Sequence, residues 1–144
     1  MLVPKKNEER IKELVRRPEG QTLDFKLHLN NPLKLAKTLT AFANTNGGTL
    51  VVGVSDNKVM VGIDPYEEIF IVEKSANNYC SPPVPVDFEI MEHDIAKEFG
   101  DKDEIMIILV HVPKSEFVHY VVDESGNKSL YKRIYDRTIP ANEQ

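Results

Sequence analysis

Basic side chains in this sequence gather in three segments, and their chemistry is that of phosphate binding. Residues 26–37 contain three lysines and one histidine, with no acidic residue. Residues 126–137 contain four basic residues against one acid, and residues 5–17 contain six against three. Lysine and arginine attract nucleic-acid phosphates whatever the base sequence. The segments therefore predict a nucleic-acid-binding face, provided that the fold brings them together.

Six cations from residues 26–37 and 126–137 are the candidate binding residues: Lys26, Lys34, Lys37, Lys132, Arg133 and Arg137. Tyr131 and Tyr135 lie among the last three, and tyrosine rings can stack on nucleic-acid bases. Alternating lysine and tyrosine is also typical of an exposed edge strand, which needs no ligand. At this level both interpretations stay open.

A polar loop that follows a predicted helix supplies five further candidates: Asn44, Thr45, Asn46, Gly47 and Gly48. Residues this small would let a nucleic-acid backbone come close to the protein backbone. A helix C-terminus also favours glycine in the left-handed conformation, which explains Gly47 without a ligand. A binding role and a purely structural role are therefore both compatible with the loop.

Other site chemistries receive less support from the residues. A single cysteine, Cys80, forms no disulfide within the chain, and we expect it to be a small buried residue. The four histidines show no helical metal-binding spacing. The nearest string to a phosphate-binding loop, residues 126–129, lacks the required glycine-lysine pair and spacing, so ATP is not supported as a cofactor.

The 144 residues carry a formal net charge of −5, which excludes a uniformly basic packaging protein. Residues 87–104 hold eight acids and two lysines, so the acidity is concentrated in one segment. This distribution predicts a polarised domain with an acidic edge and a separate basic face. The lone cysteine, and the absence of a secretory or membrane-spanning pattern, favour a cytoplasmic protein with no membrane partner.

Three helices are predicted from capping residues. They begin after Asn7, Asn31 and Asp64 and end near residues 17, 44 and 78. β-Branched and alternating stretches predict strands at residues 22–27, 49–54, 59–63, 86–91, 105–112, 117–122 and 129–135. We expect hairpins around residues 55–58 and 123–127, and an acidic loop after residue 91. The order predicts an α+β fold in which about three helices pack on a mixed β-sheet. The expected division is an N-terminal helix at 1–18, one domain at 19–141 and a tail at 142–144.

Four stretches together resemble a known family. They are Glu-Gly-Gln-Thr-Leu-Asp-Phe-Lys at residues 19–26, Ala-Phe-Ala-Asn-Thr-Asn-Gly-Gly-Thr-Leu-Val-Val-Gly-Val-Ser-Asp at 41–56, Val-Gly-Ile at 61–63 and Tyr-Lys-Arg at 131–133. They are similar to the Schlafen AlbA-type domain, and the likeness covers residues 19–141. The second stretch is the most specific of the four. The resemblance implies nucleic-acid binding in a regulatory or defence-related system.

The ribonuclease branch of this family implies a second activity. There three carboxylates hold a divalent metal, and the matching positions here are Glu19, Asp24 and Asp56. Mg²⁺ or Mn²⁺ would be the cofactor, and Lys26 could hold a phosphate or activate water. Asp24 departs from the family, which more often has glutamate at that position. Nucleic-acid binding is thus the leading hypothesis, with a metal-dependent endoribonuclease and a homodimeric scaffold module as alternatives.

Overall fold

The structure is a computed structural model that describes residues 2–96 and 102–141. Within these ranges the chain forms three helices: α1 (Glu8–Arg16), α2 (Pro32–Asn44) and α3 (Pro65–Asn78). It forms ten strands: β1 (Lys5–Lys6), β2 (Leu23–Lys26), β3 (Gly48–Val52), β4 (Cys80–Ser81), β5 (Asp87–Ala96), β6 (Lys102–Val112), β7 (Tyr120–Val122), β8 (Lys128–Ser129), β9 (Tyr131–Ile134) and β10 (Arg137–Pro140). The predicted α+β class is confirmed.

The helices begin where side-chain caps were predicted. The Asn7 side chain accepts a hydrogen bond from the backbone N–H of Arg10 at 3.0 Å, and Asn31 accepts one from Lys34 at 3.1 Å. Asp64 caps α3 in the same way, with the N–H of Tyr66 at 3.0 Å. These caps satisfy backbone donors that have no partner within the helix, which is why a local pattern predicted each start.

A mixed five-stranded sheet forms the centre of the fold, in the order β1-β5-β6-β3-β2. Strands β5, β6 and β3 are antiparallel neighbours, whereas β2 runs parallel to β3 and β1 runs parallel to β5. The acidic strand β5 and the strand β2 therefore lie near opposite sides of the sheet. Two smaller sheets, β4-β7-β8 and β9-β10, stand beside it.

Both faces of this sheet are covered by helices. Phe42 of α2 packs in one hydrophobic cluster with Leu50 and Ile108, while Ile11 of α1 packs in another with Val51. Neighbouring residues of β3 thus point to opposite faces, as expected for a strand. Full burial of Ile11 contributes about 1.5–3 kcal/mol. Helix α1 therefore belongs to the same hydrophobic core as the strands that follow it in the chain.

The predicted strand at residues 59–63 is wrong. Val54 and Met60 form an isolated bridge, after which the N–H groups of Val61 and Gly62 both donate to the carbonyl of Gly53, at 2.9 and 3.1 Å. Two donors on one carbonyl interrupt a regular ladder. Gly53 and Gly62 also have positive φ angles of 114° and 90°, which a strand does not allow.

Strands β5 and β6 are longer than predicted, because the acidic stretch after residue 91 continues the ladder. His93 pairs with Ile105 and Asp94 with Glu104, out to Ala96 with Lys102. Part of the predicted acidic loop, residues 97–101, lies outside the described residues. Backbone pairing to a long partner strand outweighs the polar composition of these residues.

The C-terminal strands confirm one predicted turn and correct one predicted strand. Asp123 and Asn127 close the turn through a backbone bond of 3.0 Å, and β7 pairs with β8 on either side of it. The predicted strand at 129–135 divides in two, because β8 pairs with β7 while β9 pairs with β10. No helix in the described part of the chain is long and apolar enough to cross a membrane.

Candidate nucleic-acid interface

A cleft of about 480 Å³ opens between the outer edge of β2, the start of α2 and the β9–β10 hairpin. Four of the six predicted cations line it: Lys26, Lys34, Lys37 and Arg133. Three carboxyl groups do so as well: Glu19, Asp24 and Asp136. Asn31, Leu33, Thr38 and Thr138 complete the lining. The fold therefore collects residues that are far apart in sequence into one strongly charged site.

The lysine wall of the cleft belongs to α2. The Asn31 cap fixes the start of the helix, and Lys34 and Lys37 follow three residues apart, so their side chains lie on the same side. Lys34 is exposed, and the Nζ of Lys37 lies 5.5 Å from the ring centroid of Tyr131. Helix α2 contains no acidic residue. These two lysines are consequently not neutralised by their own helix.

Strand β2 supplies the floor of the cleft through its alternation. Asp24 and Lys26 point into the cleft, whereas Phe25 between them points to the opposite face and packs in the core beneath α1. The Nζ of Lys26 lies 3.8 Å from Oδ2 of Asp24. Lys26 is exposed and Asp24 is buried, so the lysine marks the boundary between floor and solvent.

Glu19 and Asp24 form a hydrogen-bonded carboxyl pair on this floor. Both also accept from the outward backbone N–H of Phe25, with Glu19 Oε2 at 3.1 Å and Asp24 Oδ1 at 3.0 Å. Two carboxyl groups this close cannot both ionise easily, so they share a proton. The pair is therefore held by one backbone donor and by its own internal hydrogen bond.

Burial is the main cause that raises the pKa of Asp24, to about 7, and the hydrogen bond to Glu19 raises it further. Lys26 and Arg133 act in the opposite direction, because positive charge favours the ionised carboxylate. The hydrogen bond from Asp24 lowers the pKa of Glu19. Near neutral pH the proton of the pair therefore resides on Asp24 for much of the time, and Glu19 carries the negative charge.

Arg133 is buried, with 3% of its surface exposed, and its guanidinium is used within the fold. Its Nε donates to the carbonyl of Gly20 at 3.0 Å, and one terminal nitrogen donates to Thr138 at 3.2 Å. The same nitrogen lies 3.7 Å from Oδ2 of Asp24. The guanidinium also lies over the ring of Phe42, 5.0 Å from its centroid. Arg133 thus joins the β9–β10 hairpin to the loop before β2. Its buried positive charge also contributes to the electrostatic potential of the cleft.

Asn44 and Thr45 use their side chains to hold neighbouring segments. The amide nitrogen of Asn44 donates to the carbonyls of His119 and Tyr131 at 2.8 and 3.1 Å, and its oxygen accepts from the N–H of His119 at 2.8 Å. The Thr45 hydroxyl oxygen accepts from the N–H of Arg133 at 2.9 Å. These bonds explain both residues by tertiary structure, which the sequence did not indicate.

The remaining residues of the loop are also fixed by close packing. The side-chain oxygen of Asn46 accepts a hydrogen bond from the side-chain amide of Gln21, in the loop before β2. Gly47 has a φ of 74°, and a Cβ there would lie 2.8 Å from backbone atoms of residues 112–114. A Cβ on Gly48 would lie 2.5 Å from the ring of Phe42. A binding role for residues 44–48 stays a prediction, and their contacts already account for their types.

Lys132 and Arg137 lie on the other face of the β9–β10 hairpin. Ile134 pairs with Arg137 and Thr138 with Arg133, so the side chains of Lys132 and Arg137 project away from the face that carries Arg133. Both are exposed. The hairpin consequently separates two basic surfaces, with the cleft on one side and this pair on the other.

Residues 19–142 match the family described as Schlafen, AlbA_2. This match spans most of the chain and includes both walls of the cleft. The chain belongs to the Schlafen AlbA_2 family. Family membership confirms the predicted resemblance and indicates a nucleic-acid-related domain.

Comparison with solved structures supports the same fold. The crystal structure of the DIP2311 protein from Corynebacterium diphtheriae superposes with a TM-score of 0.54 at 20% identity. The match covers 93% of this chain and 27% of that chain, so this Schlafen AlbA_2 domain spans about a quarter of its length. A search of curated proteins found no match.

The three carboxylates implied by the family are not assembled around one point. Glu19 and Asp24 meet on the cleft floor, but Asp56 lies in an exposed turn outside the cleft lining. In that turn Lys58 has its Nζ 3.6 Å from the ring centroid of Phe25, on the face of β2 opposite Asp24. Across the described residues, no group of three metal-binding side chains is placed to hold an ion. The residues therefore do not fit a three-carboxylate metal site.

The first basic segment, residues 5–17, faces the acidic strands and does not extend the cleft. Lys6 is 2.8 Å from Asp94, and Arg10 is 2.7 Å from Glu89. Opposite charges this close neutralise each other towards a distant ligand. The acidic and basic residues are thus separated across the sheet as predicted, but the basic side is formed by residues 26–37 and 126–137 and not by residues 5–17.

The sequence did not indicate a polar row beside a second cavity of about 630 Å³. The Thr49 hydroxyl lies 2.9 Å from Nδ1 of His111, and Glu89 lies 3.1 Å from Nε2 of the same ring. Thr49 and His111 are brought together by the register of β3 and β6, and a register of this kind cannot be derived from local sequence patterns.

Cys80 is buried as predicted, and burial raises its thiol pKa to about 12, which disfavours a nucleophilic role.

Proposed function

We propose that this domain binds nucleic acid by its phosphate backbone, in the cleft between β2, α2 and the β9–β10 hairpin. The observation that carries this proposal is the convergence of Lys26, Lys34 and Lys37 on one opening. Lys34 and Lys37 have no acid in their own helix, and Lys26 lines the same cleft from β2. Several cations along one groove suit the phosphate backbone of a nucleic acid better than a single small anion.

The acidic groups of the cleft do not cancel this attraction. Four basic side chains line the cleft against three carboxyl groups, and the raised pKa of Asp24 keeps this carboxyl group partly protonated near neutral pH. Arg133 adds positive charge without needing to contact the ligand. The arrangement of the domain favours the same orientation, because the acidic strand β5 and the strand β2 of the cleft lie near opposite sides of the sheet.

Binding is proposed in preference to metal-dependent cleavage or a purely scaffolding role. Cleavage by three carboxylates would require Asp56 beside Glu19 and Asp24, and its turn lies on the far side of β2. A scaffold would give no reason for lysines to face one another across a cleft. The regulatory or defence-related setting that the family implies belongs to the same proposal.

The test is a titration of fluorescent single-stranded and duplex DNA and RNA, followed by anisotropy at several salt concentrations. For single strands each phosphate contact contributes about 0.7 to the log–log salt slope, so Lys34→Ala/Lys37→Ala should lower that slope by roughly 1.4. A matched control is Lys12→Ala/Lys74→Ala, since both lysines are exposed on the other two helices.

The control variant should bind as the wild type does. If the wild type binds none of the four ligands at low salt, the proposal is wrong. If the two double variants lose affinity equally, the phosphate is held by overall charge and the cleft has no special role.

A further inference from the structure

The backbone of Tyr135 adopts a conformation that its side chain does not favour. Tyr135 occupies the first loop position of the two-residue turn between Ile134 and Arg137, and its φ is 55°. Such turns favour asparagine or glycine, because a bulky side chain at positive φ meets the following backbone. Strained residues persist where the surrounding structure holds them, and they gather at ligand-binding sites.

The side chain of Tyr135 is largely exposed, so burial in the fold does not compensate for its unfavourable backbone conformation. Its exposed fraction is 78%, the highest of the large hydrophobic residues in the described part of the chain. The neighbouring Ile134 is 47% exposed. Tyr131, the other tyrosine of this hairpin, is half-buried and packs against the core. Of the two tyrosines of this hairpin, Tyr135 is therefore the one whose ring is accessible to a ligand.

Tyr135 also stands where the two basic surfaces meet. Its turn neighbour Asp136 lines the cleft, and its own N–H is 3.4 Å from the side-chain oxygen of Gln21 in the loop that carries Glu19. Beyond the tip, Lys132 and Arg137 project from the opposite face of the hairpin. A strand that runs from the lysine wall of the cleft to these cations by way of the hairpin tip passes Tyr135.

We propose that Tyr135 stacks on an unpaired base, and that the ligand of the cleft is a single-stranded nucleic acid that passes over the hairpin tip. This inference rests on the proposed function and adds the class of nucleic acid. Base faces in a duplex are covered by neighbouring pairs, whereas an unpaired base offers its face to an aromatic ring. Stacking of this kind depends little on base identity or on the sugar, so DNA and RNA strands both satisfy it.

Three variants separate stacking from other roles of the residue. Tyr135→Asn removes the ring and suits the positive φ, so it keeps the turn. Tyr135→Phe keeps the ring and removes the hydroxyl. Tyr135→Trp places the single tryptophan of the chain at the tip, because the natural sequence has none. The ligands are a short single strand, its duplex, and the same strand with abasic sites, each as DNA and as RNA.

Wild type and Tyr135→Phe should bind the intact single strand equally. Tyr135→Asn should bind it roughly 5- to 150-fold more weakly, which is the range for loss of one stacked base. On the abasic strand and the duplex the three proteins should be equal. Emission from Tyr135→Trp should be quenched by the intact strand and unchanged by the abasic one.

Failure of this inference differs from failure of the proposed function. If the wild type binds and Lys34→Ala/Lys37→Ala weakens binding, but Tyr135→Asn keeps full single-strand affinity, stacking is wrong and cleft binding stands. An equal loss on duplex and single strand would also overturn stacking. Absence of all binding by the wild type overturns both proposals.

Discussion

Replacing Asp24 by asparagine should make the domain more stable at alkaline pH, because the fold resists ionisation of this carboxyl group. Burial and the hydrogen bond to Glu19 raise the pKa of Asp24 to about 7, from an ordinary value of 3.8. Below 3.8 the group is protonated in both the folded and the unfolded chain. As the pH rises towards 7, the unfolded chain releases a proton that the fold retains, and the free energy of unfolding falls.

The size of the effect follows from the two pKa values. Above both of them the ionised Asp24 costs the fold about 4 kcal/mol, and about 3 kcal/mol of this develops between about pH 5 and pH 8.5. The lowered pKa of Glu19 acts in the opposite direction, but that contribution is complete near its ordinary value of 4.5. The change between pH 5 and 8.5 therefore belongs mainly to Asp24.

Urea denaturation followed by circular dichroism, in buffer with EDTA, measures this difference. Asparagine can keep the bond from the N–H of Phe25 and donate to Glu19 as the protonated acid does. We expect the variant to exceed the wild type by about 3 kcal/mol more at pH 8.5 than at pH 5. Asp56→Asn is the matched control, since Asp56 is exposed in a turn and should show no such change.

A constant difference between Asp24→Asn and wild type across this pH range would refute the reasoning. It would mean that Asp24 is already ionised at pH 5 and that the carboxyl pair shares no proton. A change of equal size in Asp56→Asn would assign the effect to overall charge.

Three further changes test the surroundings of the cleft by thermal or urea unfolding. Gly48→Ala should cost about 1–3 kcal/mol, because its Cβ would lie 2.5 Å from the Phe42 ring, whereas Gly20→Ala has free space and should change little. Asn44→Ala should cost about 1–3 kcal/mol, since it leaves backbone groups near β7 and β9 without partners. Tyr135→Asn should raise stability by about 0.5–1 kcal/mol through relief of the positive φ, and equal or lower stability would contradict that strain.

Local patterns predicted the parts of this fold whose causes are local. Asn7, Asn31 and Asp64 cap helices through bonds to residues two or three positions later, so each start could be derived from sequence. Helix and strand periodicity, which are also local, explain why Lys34 and Lys37 share one side of α2 and why Asp24 lies beside Lys26 on β2. The arrangement of the lysines within each element therefore has a local cause, whereas the meeting of the elements at the cleft does not.

Pairing between distant segments determines what the sequence could not supply. Arg133 was predicted to bind a ligand, but its partners at Gly20 and Asp24 are more than a hundred residues away and bury it. The face taken by Lys132 and Arg137 depends on the β9–β10 register, which a shift of one residue would reverse. Non-local contacts of this kind have no periodic signature.

The carboxyl pair on the cleft floor has a second consequence, for how copies of this domain can assemble. β2 lies at the rim of the central sheet, where an unpaired N–H invites a strand from another molecule. Glu19 and Asp24 occupy the outward N–H of Phe25, and the N–H of Gly20 occupies the outward carbonyl of Leu23. The opposite rim is the two-residue strand β1, which consists of lysines. Sheet extension is disfavoured at both rims, so two copies that associate must meet through helices or hairpins.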